Sequence, residues 1–171
     1  MLIETNKQRL LAYLFENPTR KAHLRELARF TGMSAPSVLR NAEILQKENM
    51  AKIERGALTM ISANAEDKNF IWMKRVYNMY SIYSSGLVDF LQETFDPDAI
   101  ALFGSFSRGE DIERSDIDIA LISGGKASPD LSKFEKKLHR SISLHQFGRK
   151  EVSQHFWKSI SNGIILEGAL E

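Results

Sequence analysis

The chain has 171 residues, no cysteine, 43% hydrophobic and 26% charged residues, and a formal net charge of +1, a globular composition that excludes disulfides and any zinc site built on Cys. No apolar run approaches the ~20 residues that span a membrane, and the opening MLIETNKQRL lacks the apolar core of a secretory signal, so a cytoplasmic location is expected. The small net charge hides an asymmetry: residues 1–65 hold 10 Lys/Arg against 6 Asp/Glu, and the remainder holds 13 against 16, which suggests two jobs for two parts.

From Asn6 to Phe15, Leu10, Leu11 and Leu14 recur at helical spacing, and Asn17-Pro18 ends the segment because the residue before proline avoids the α region. Leu24, Leu27 and Ala28 mark a second helix that stops at Thr31-Gly32. Ser34 can cap a third, with Pro36 tolerated in its first turn and Val38, Leu39, Ala42 and Leu45 as its inner face. In AKIERGALTMISA, Ile53 precedes and Leu58, Met60 and Ile61 follow Arg55-Gly56, the pattern of two short strands joined by a glycine turn. Three helices followed by a hairpin resemble a winged helix over residues 5–64. Such a module would set Ser34, Ser37, Arg40 and Asn41 of its third helix near the DNA major groove, with Lys47, Lys52 and Arg55 meeting phosphates. Winged helices also serve as protein-docking and dimerisation modules.

Asp67 opens a long helical stretch, KNFIWMKRVYNMYSIYSSGLVDFLQETF, too apolar for one buried stripe. Phe70, Trp72, Tyr77, Tyr80 and Tyr83 are expected to serve an inter-domain or homodimer contact before base stacking, and Ser84-Ser85-Gly86 is the expected break. The expected organisation is therefore a first domain over 1–65, a connecting helix over 66–86, and a second domain over 87–171.

The stretch AIALFGSFSRGEDIERSDIDIALIS, residues 99–123, carries the chemistry. Ala99 to Phe103 reads as a buried strand, Gly104-Ser105 as a sharp turn, FSRGEDIER as a loop, and Asp116 to Ile122 as a second strand. Residues two apart on a strand share a face, so Asp116 and Asp118 present adjacent carboxylates while Ile117 and Ile119 enter a core. Paired carboxylates repel unless cations sit between them, and Mg²⁺ accepts one or two carboxylates together with substrate phosphates. Gly104 allows close approach of a ligand, and backbone N–H groups with the Ser105 hydroxyl can hold phosphate oxygens. Arg108 can reach phosphate or brace the loop.

Gly104-Ser105, Arg108-Gly109 and Ser115-Asp116-Ile117-Asp118 resemble the motif of minimal nucleotidyltransferases of the DNA polymerase β superfamily, over about residues 87–170. The resemblance implies an α+β fold with a mixed sheet and flanking helices. It also implies phosphate contacts from Gly104, Ser105, Arg108 and Ser115, catalysis and metal ligation by Asp116 and Asp118, and two Mg²⁺ ions acting on a nucleoside triphosphate. GIILEGAL matches the family's short closing segment. The family usually places a third carboxylate on the next strand, here within residues 140–147, after a helix with Leu131, Phe134 and Leu138 inward. Ser141, Ser143 and His145 share one face of that strand, and Ser143 falls at the carboxylate position. Either the site is weak or dead, or His145 serves as base or ligand, or Glu110, Asp111 or Glu113 swings in. The loop acids are expected to face solvent, and Glu151 to begin the last helix.

Three functional readings follow. One is transfer of a nucleoside monophosphate from ATP or another triphosphate to a hydroxyl acceptor. The second is a DNA-binding transcriptional regulator with a nucleotide-sensing, degenerate transferase domain. The third is an antitoxin-type partner of a separate toxin.

Overall fold

The computed structural model describes residues 5–123, 128–148 and 154–170. They divide into two units, Met1–Lys74 and Arg75–Glu171. The division falls inside the segment 66–86 expected to be a connecting helix.

In the first unit Thr5 opens helix α1 (Asn6–Glu16) with a capping box. Its hydroxyl accepts from the Gln8 amide at 3.2 Å, and Gln8 Oε1 accepts from the Thr5 amide at 2.8 Å, which satisfies two otherwise orphaned donors. Strand β1 (Lys21–His23) leads directly into α2 (Leu24–Thr31), which ends on Gly32 in the left-handed region at φ +69°. Ser34 caps α3 (Ala35–Lys47), accepting from the Ser37 amide at 3.4 Å, and Pro36 sits in the first turn, where a missing N–H costs nothing. Strands β2 (Ala51–Glu54) and β3 (Met60–Ala63) pair antiparallel with Ile53 opposite Ile61. β1 joins the other edge of β3, giving the order β1-β3-β2.

Two points differ from the sequence reading. β1 is additional: three residues carry no readable periodicity, and their partner β3 lies far along the chain. Leu58, expected in the second strand, lies in the connecting turn and is 61% exposed. Leu10, Leu14, Leu27, Val38, Leu45 and Ile61 are fully buried and form the core of this unit; each such side chain contributes roughly 1.5–3 kcal/mol of transfer free energy.

Helix α4 (Lys68–Ser85) starts after Asp67, whose Oδ1 accepts from the Asn69 amide at 2.8 Å. Phe70 is buried and its ring lies 5.0 Å from that of Phe15, so it is a packing residue of the first unit. The helix breaks where the sequence placed the break. Gly86 adopts φ +81° and α5 (Leu87–Phe95) follows.

The second unit continues through β4 (Ala99–Phe103), the short helix α6 (Gly104–Arg108), β5 (Ile117–Ile122), α7 (Ser132–Leu138), β6 (Ile142–Phe147), α8 (Gln154–Ser161) and β7 (Ile164–Gly168). The sheet order is β6-β5-β4-β7; β4 runs antiparallel to both β5 and β7, while β5 and β6 are parallel. The parallel pair requires a crossover, and α7 lies in it. One face of the sheet carries Ile100, Leu102, Ile117, Ile119 and Leu121 against Leu87, Leu91 and Phe134. The other face has Ala101, Phe103 and Ala120 against Ile160. Leu131 and Leu138 flank Phe134 at the edge of the larger core, as their spacing predicts. The expected start of the last helix at Glu151 lies outside the described residues.

Segment 106–114 is not the plain loop expected. Gly104–Arg108 winds into a helical turn ended by Gly109 at φ +75°. Nor do all its acids face water. Glu110 is exposed, but Asp111 is only 2% exposed.

Candidate active site

Strand β5 is buried along its length except at Asp118, which is half-buried. Alternation sends Ile117 and Ile119 into the larger core and turns Asp118 to the opposite face. In register across the sheet, Asp118 pairs with Phe103 on one side and Ser143 on the other. Asp116 lies just before the strand and is exposed.

Gly104 closes the site from the β4 side. It holds φ +72°, and a Cβ built there would lie 3.0 Å from Asp118 Cγ and closer still to Oδ2. No L side chain fits without displacing the carboxylate, so glycine is required here both by the backbone and by its neighbour. The first amides of α6 therefore start beside a carboxylate; such first-turn amides have no intrahelical acceptors. Ser105 is half-buried in that turn. Buried Ser107, which no sequence signal marks, donates to Gly104 O at 2.9 Å and fixes the bend.

Burial is the main influence on Asp118 and pushes its carboxyl above the ordinary carboxylate range. The charge of Asp116 adds to the rise, while His145 and, more weakly, Arg108 oppose it. Arg108 is exposed and its Nε donates to Glu110 Oε2 at 2.7 Å, so it braces the turn while its charge is felt at Asp118. The Ser115 hydroxyl accepts from the Ile112 amide at 3.0 Å and closes the turn that delivers Asp116.

Ser143 stands opposite Asp118, at the position anticipated for the missing carboxylate. Its hydroxyl lies 3.0 Å from His145 Nε2, and that nitrogen is 3.8 Å from Asp118 Oδ1. Phe103 flanks the imidazole, with ring centroids 5.3 Å apart. Glu110 is engaged by Arg108. Asp111 is held elsewhere: Asn78 Nδ2 donates to its Oδ1 at 2.8 Å and to Phe106 O at 2.9 Å, and Arg140 Nη2 lies 3.8 Å from its Oδ2. No local pattern in the sequence announces this buried trio, because its members come from α4, the loop after α6 and the turn between α7 and β6.

A cleft of about 440 Å³ opens beside Asp116, walled by Glu113, Arg114 and Ser115 on one side and by Ser132, Glu135 and Lys136 of α7 with His139 and Ser141 after it on the other. Among the described residues no three of His, Cys, Asp and Glu are grouped to hold a metal ion. The donor set is nonetheless suited to one Mg²⁺: two carboxylates, with the remaining positions left to water and phosphate oxygens. A second ion lacks a carboxylate where Ser143 stands.

Residues 86–167 match the family model described as polymerase beta, nucleotidyltransferase. The match begins at the break between α4 and α5 and ends in β7, so it contains Gly104, Asp116, Asp118, Ser143 and His145. No curated protein and no solved structure matches the chain. The second unit is thus an α+β domain with a mixed sheet, similar over residues 86–167 to that family.

The residues singled out in the first unit have distinct surroundings. Arg40 and Lys47 are exposed on α3. Ser34 serves as the helix cap, while Ser37 and Asn41, expected to point outward, are half-buried. Asn41 Nδ2 donates to Ser37 O at 2.8 Å, and the Ser37 hydroxyl lies 3.8 Å from Met33 S. Arg55 pairs with Glu43 at 2.6 Å, and Lys52 stands 4.0 Å from Glu66. Among the described residues no helix is long and apolar enough to cross a membrane.

Proposed function

We propose that the second unit binds a nucleoside triphosphate with a divalent cation and transfers the nucleoside monophosphate to a hydroxyl acceptor. The observation that carries this reading is the contact between Gly104 and Asp118: a turn with no room for a side chain is set against a half-buried carboxylate. Asp116 and Asp118 would hold Mg²⁺, which when bound lowers the pKa of the attacking hydroxyl and offsets charge on the phosphates. The amides at Gly104 and Ser105 would hold phosphate oxygens, and the charge of Arg108 would favour the same anion. The acceptor oxygen forms a bond to the α-phosphorus, the bond from that phosphorus to the β-phosphate bridging oxygen breaks, and pyrophosphate leaves while the hydroxyl proton passes to solvent. The cleft beside Asp116 provides space for the acceptor.

The first unit, with three helices and a three-stranded sheet, fits a winged helix that docks on duplex DNA, with Arg40 on the exposed side of α3 as its leading contact. The test of the enzymatic reading is incubation with each α-labelled triphosphate, Mg²⁺ or Mn²⁺, and RNA, protein and small hydroxyl acceptors, scored for labelled product and pyrophosphate. Transfer that survives Asp116→Ala/Asp118→Ala refutes it.

Ser143 opposite Asp118 favours one alternative, a DNA-binding regulator whose transferase domain binds nucleotide without turnover. It predicts no transfer in that assay and a DNA affinity that shifts with nucleotide and Mg²⁺. Measurable transfer with no such shift removes it.

A further inference from the structure

The transferase reading leaves a hydroxyl and an imidazole on β6 without a task, although both stand beside Asp118. The parallel register of β5 and β6 sets Ser143 opposite Asp118, and alternation brings His145 to the same face. His145 leans back along the strand, and its Nε2 lies 3.0 Å from Ser143 Oγ. With the ring proton on Nδ1, the serine hydroxyl donates and Nε2 accepts. The tilted ring of Phe103, 5.3 Å away between centroids, and the parallel ring of Phe147 at 6.4 Å limit how the imidazole can swing away. A hydroxyl that donates to an imidazole held in place is the arrangement of an activated serine nucleophile. Both residues are half-buried, so the pair is open to a ligand in the site and partly shielded from water.

The two oxygens of Asp118 face different neighbours. Oδ2 is turned to Gly104, whose missing Cβ leaves room for it, and Oδ1 stands 3.8 Å from His145 Nε2. Phe103, Asp118 and Ser143 lie in register on three neighbouring strands. A triphosphate bound over Gly104 and Asp118 therefore has Ser143 one strand spacing away, roughly 5 Å. A hydroxyl fixed at that range outcompetes a dissolved one through proximity alone.

We propose that Ser143 is itself an acceptor: the chain transfers a nucleoside monophosphate to its own Ser143, with His145 as the base. The inference rests on the transferase reading of the same site. Ser143 Oγ forms a bond to the α-phosphorus while its proton passes to His145 Nε2. The bond from that phosphorus to the β-phosphate bridging oxygen breaks, and pyrophosphate leaves with the electron pair. The product is a phosphodiester on serine.

The test is intact-mass and peptide mass spectrometry of the full-length protein after incubation with Mg²⁺ or Mn²⁺ and each nucleoside triphosphate in turn, with no added acceptor. One nucleoside monophosphate is expected on Ser143, and pyrophosphate added to the modified protein, freed of nucleotide, returns the triphosphate. Ser143→Ala abolishes the adduct, Ser143→Thr keeps part of the labelling, and His145→Gln slows it at least about a hundredfold. The wild-type peptide map does not depend on how the variants fold. Labelling of His145→Gln at the wild-type rate overturns the role of the base. Transfer to an added acceptor while Ser143 stays unmodified, or an adduct on another residue, overturns the inference and leaves the transferase reading standing. Labelling undiminished in Asp116→Ala/Asp118→Ala overturns both, as does the absence of adduct and of transfer to any acceptor.

Discussion

Gly104→Ala isolates the contact on which the site depends. Two costs arise, and the structure provides a control for one of them. Gly104 and Gly86 both hold left-handed backbone, at φ +72° and +81°, and both belong to the second unit. Alanine in that region costs about 1–2 kcal/mol. At Gly86 nothing lies within 4 Å of an added Cβ, so strain is the whole penalty there. At Gly104 the methyl group meets the Asp118 carboxylate, and relieving that overlap moves the side chain off its rotamer or shifts the turn, adding about 1–3 kcal/mol. For a unit of this size each kcal/mol lowers Tm by about 4–8 °C, so the two variants separate clearly in thermal denaturation. Binding of Mg²⁺ and an ATP analogue, followed by calorimetry, gives the functional half: it falls at least about tenfold in Gly104→Ala, a loss of about 1.4 kcal/mol, and stays within about twofold in Gly86→Ala. Equal Tm shifts and equal nucleotide affinity in the two variants would falsify the claim that Gly104 is kept open by Asp118.

Asp118→Asn should raise Tm in the absence of divalent ions at pH 7 while removing cation binding. Burial raises the Asp118 carboxyl, so its contribution to stability is fully present only at low pH and is lost as pH rises through the raised pKa; the advantage of the amide therefore shrinks on acidification, checked by melts at pH 7 and pH 5. Asp111→Ala removes the carboxylate beside the buried Arg140 side chain and leaves Asn78 without one acceptor, and should cost about 3–5 kcal/mol in urea unfolding. Adding Arg140→Met recovers at least about 1 kcal/mol of that, and strict additivity in the double-mutant cycle contradicts the pairing. Arg40→Ala should weaken binding to duplex DNA by about 1–3 kcal/mol and flatten its salt dependence, measured by fluorescence anisotropy. Asn41→Ala changes that affinity by less than about twofold, because its amide is already spent on Ser37 O; a larger loss shows that the amide turns outward on DNA.

Much of the site was legible because its signals are local. A run buried on both faces, Ala99–Phe103, followed at once by Gly104 can only be a strand ending in a turn, and the i, i+2 spacing puts Asp118 on the face opposite Ile117 and Ile119. The same alternation on the following strand put Ser141, Ser143 and His145 on one face, and the register of β6 against β5 sets Ser143 opposite Asp118. What escaped depends on partners distant in sequence. β1 exists only because β3 pairs with it, and three residues cannot announce a strand. Asp111 looks like a surface acid among Glu110 and Glu113, and only the convergence of Asn78 and Arg140 makes its burial tolerable. The reach of His145 back to Asp118 is likewise invisible, since alternation fixes a face and not the lean of a ring along it.

Asp118 brings these strands of reasoning together as a question of cost. A carboxylate in a strand otherwise closed to water is expensive to ionise, and neither the larger core nor the hydrogen bonds of the sheet need it there. Asparagine of the same shape would spare the fold that cost. Gly104 adds to it, since a position that excludes every side chain also forgoes the conformational restraint alanine would provide in the unfolded chain. Both expenses fall on one spot, the two half-buried partners Ser143 and His145 lie within 4 Å of it or of each other, and Asp116 adds a second negative charge at its mouth. A cation bound to the folded form alone offsets such a concentration of cost, contributing about 2.7 kcal/mol once its concentration reaches about a hundred times its dissociation constant. On the proposed reading the cost of Asp118 and the capacity to bind a cation are two aspects of one arrangement, since the charge that opposes folding is the charge that would hold the ion.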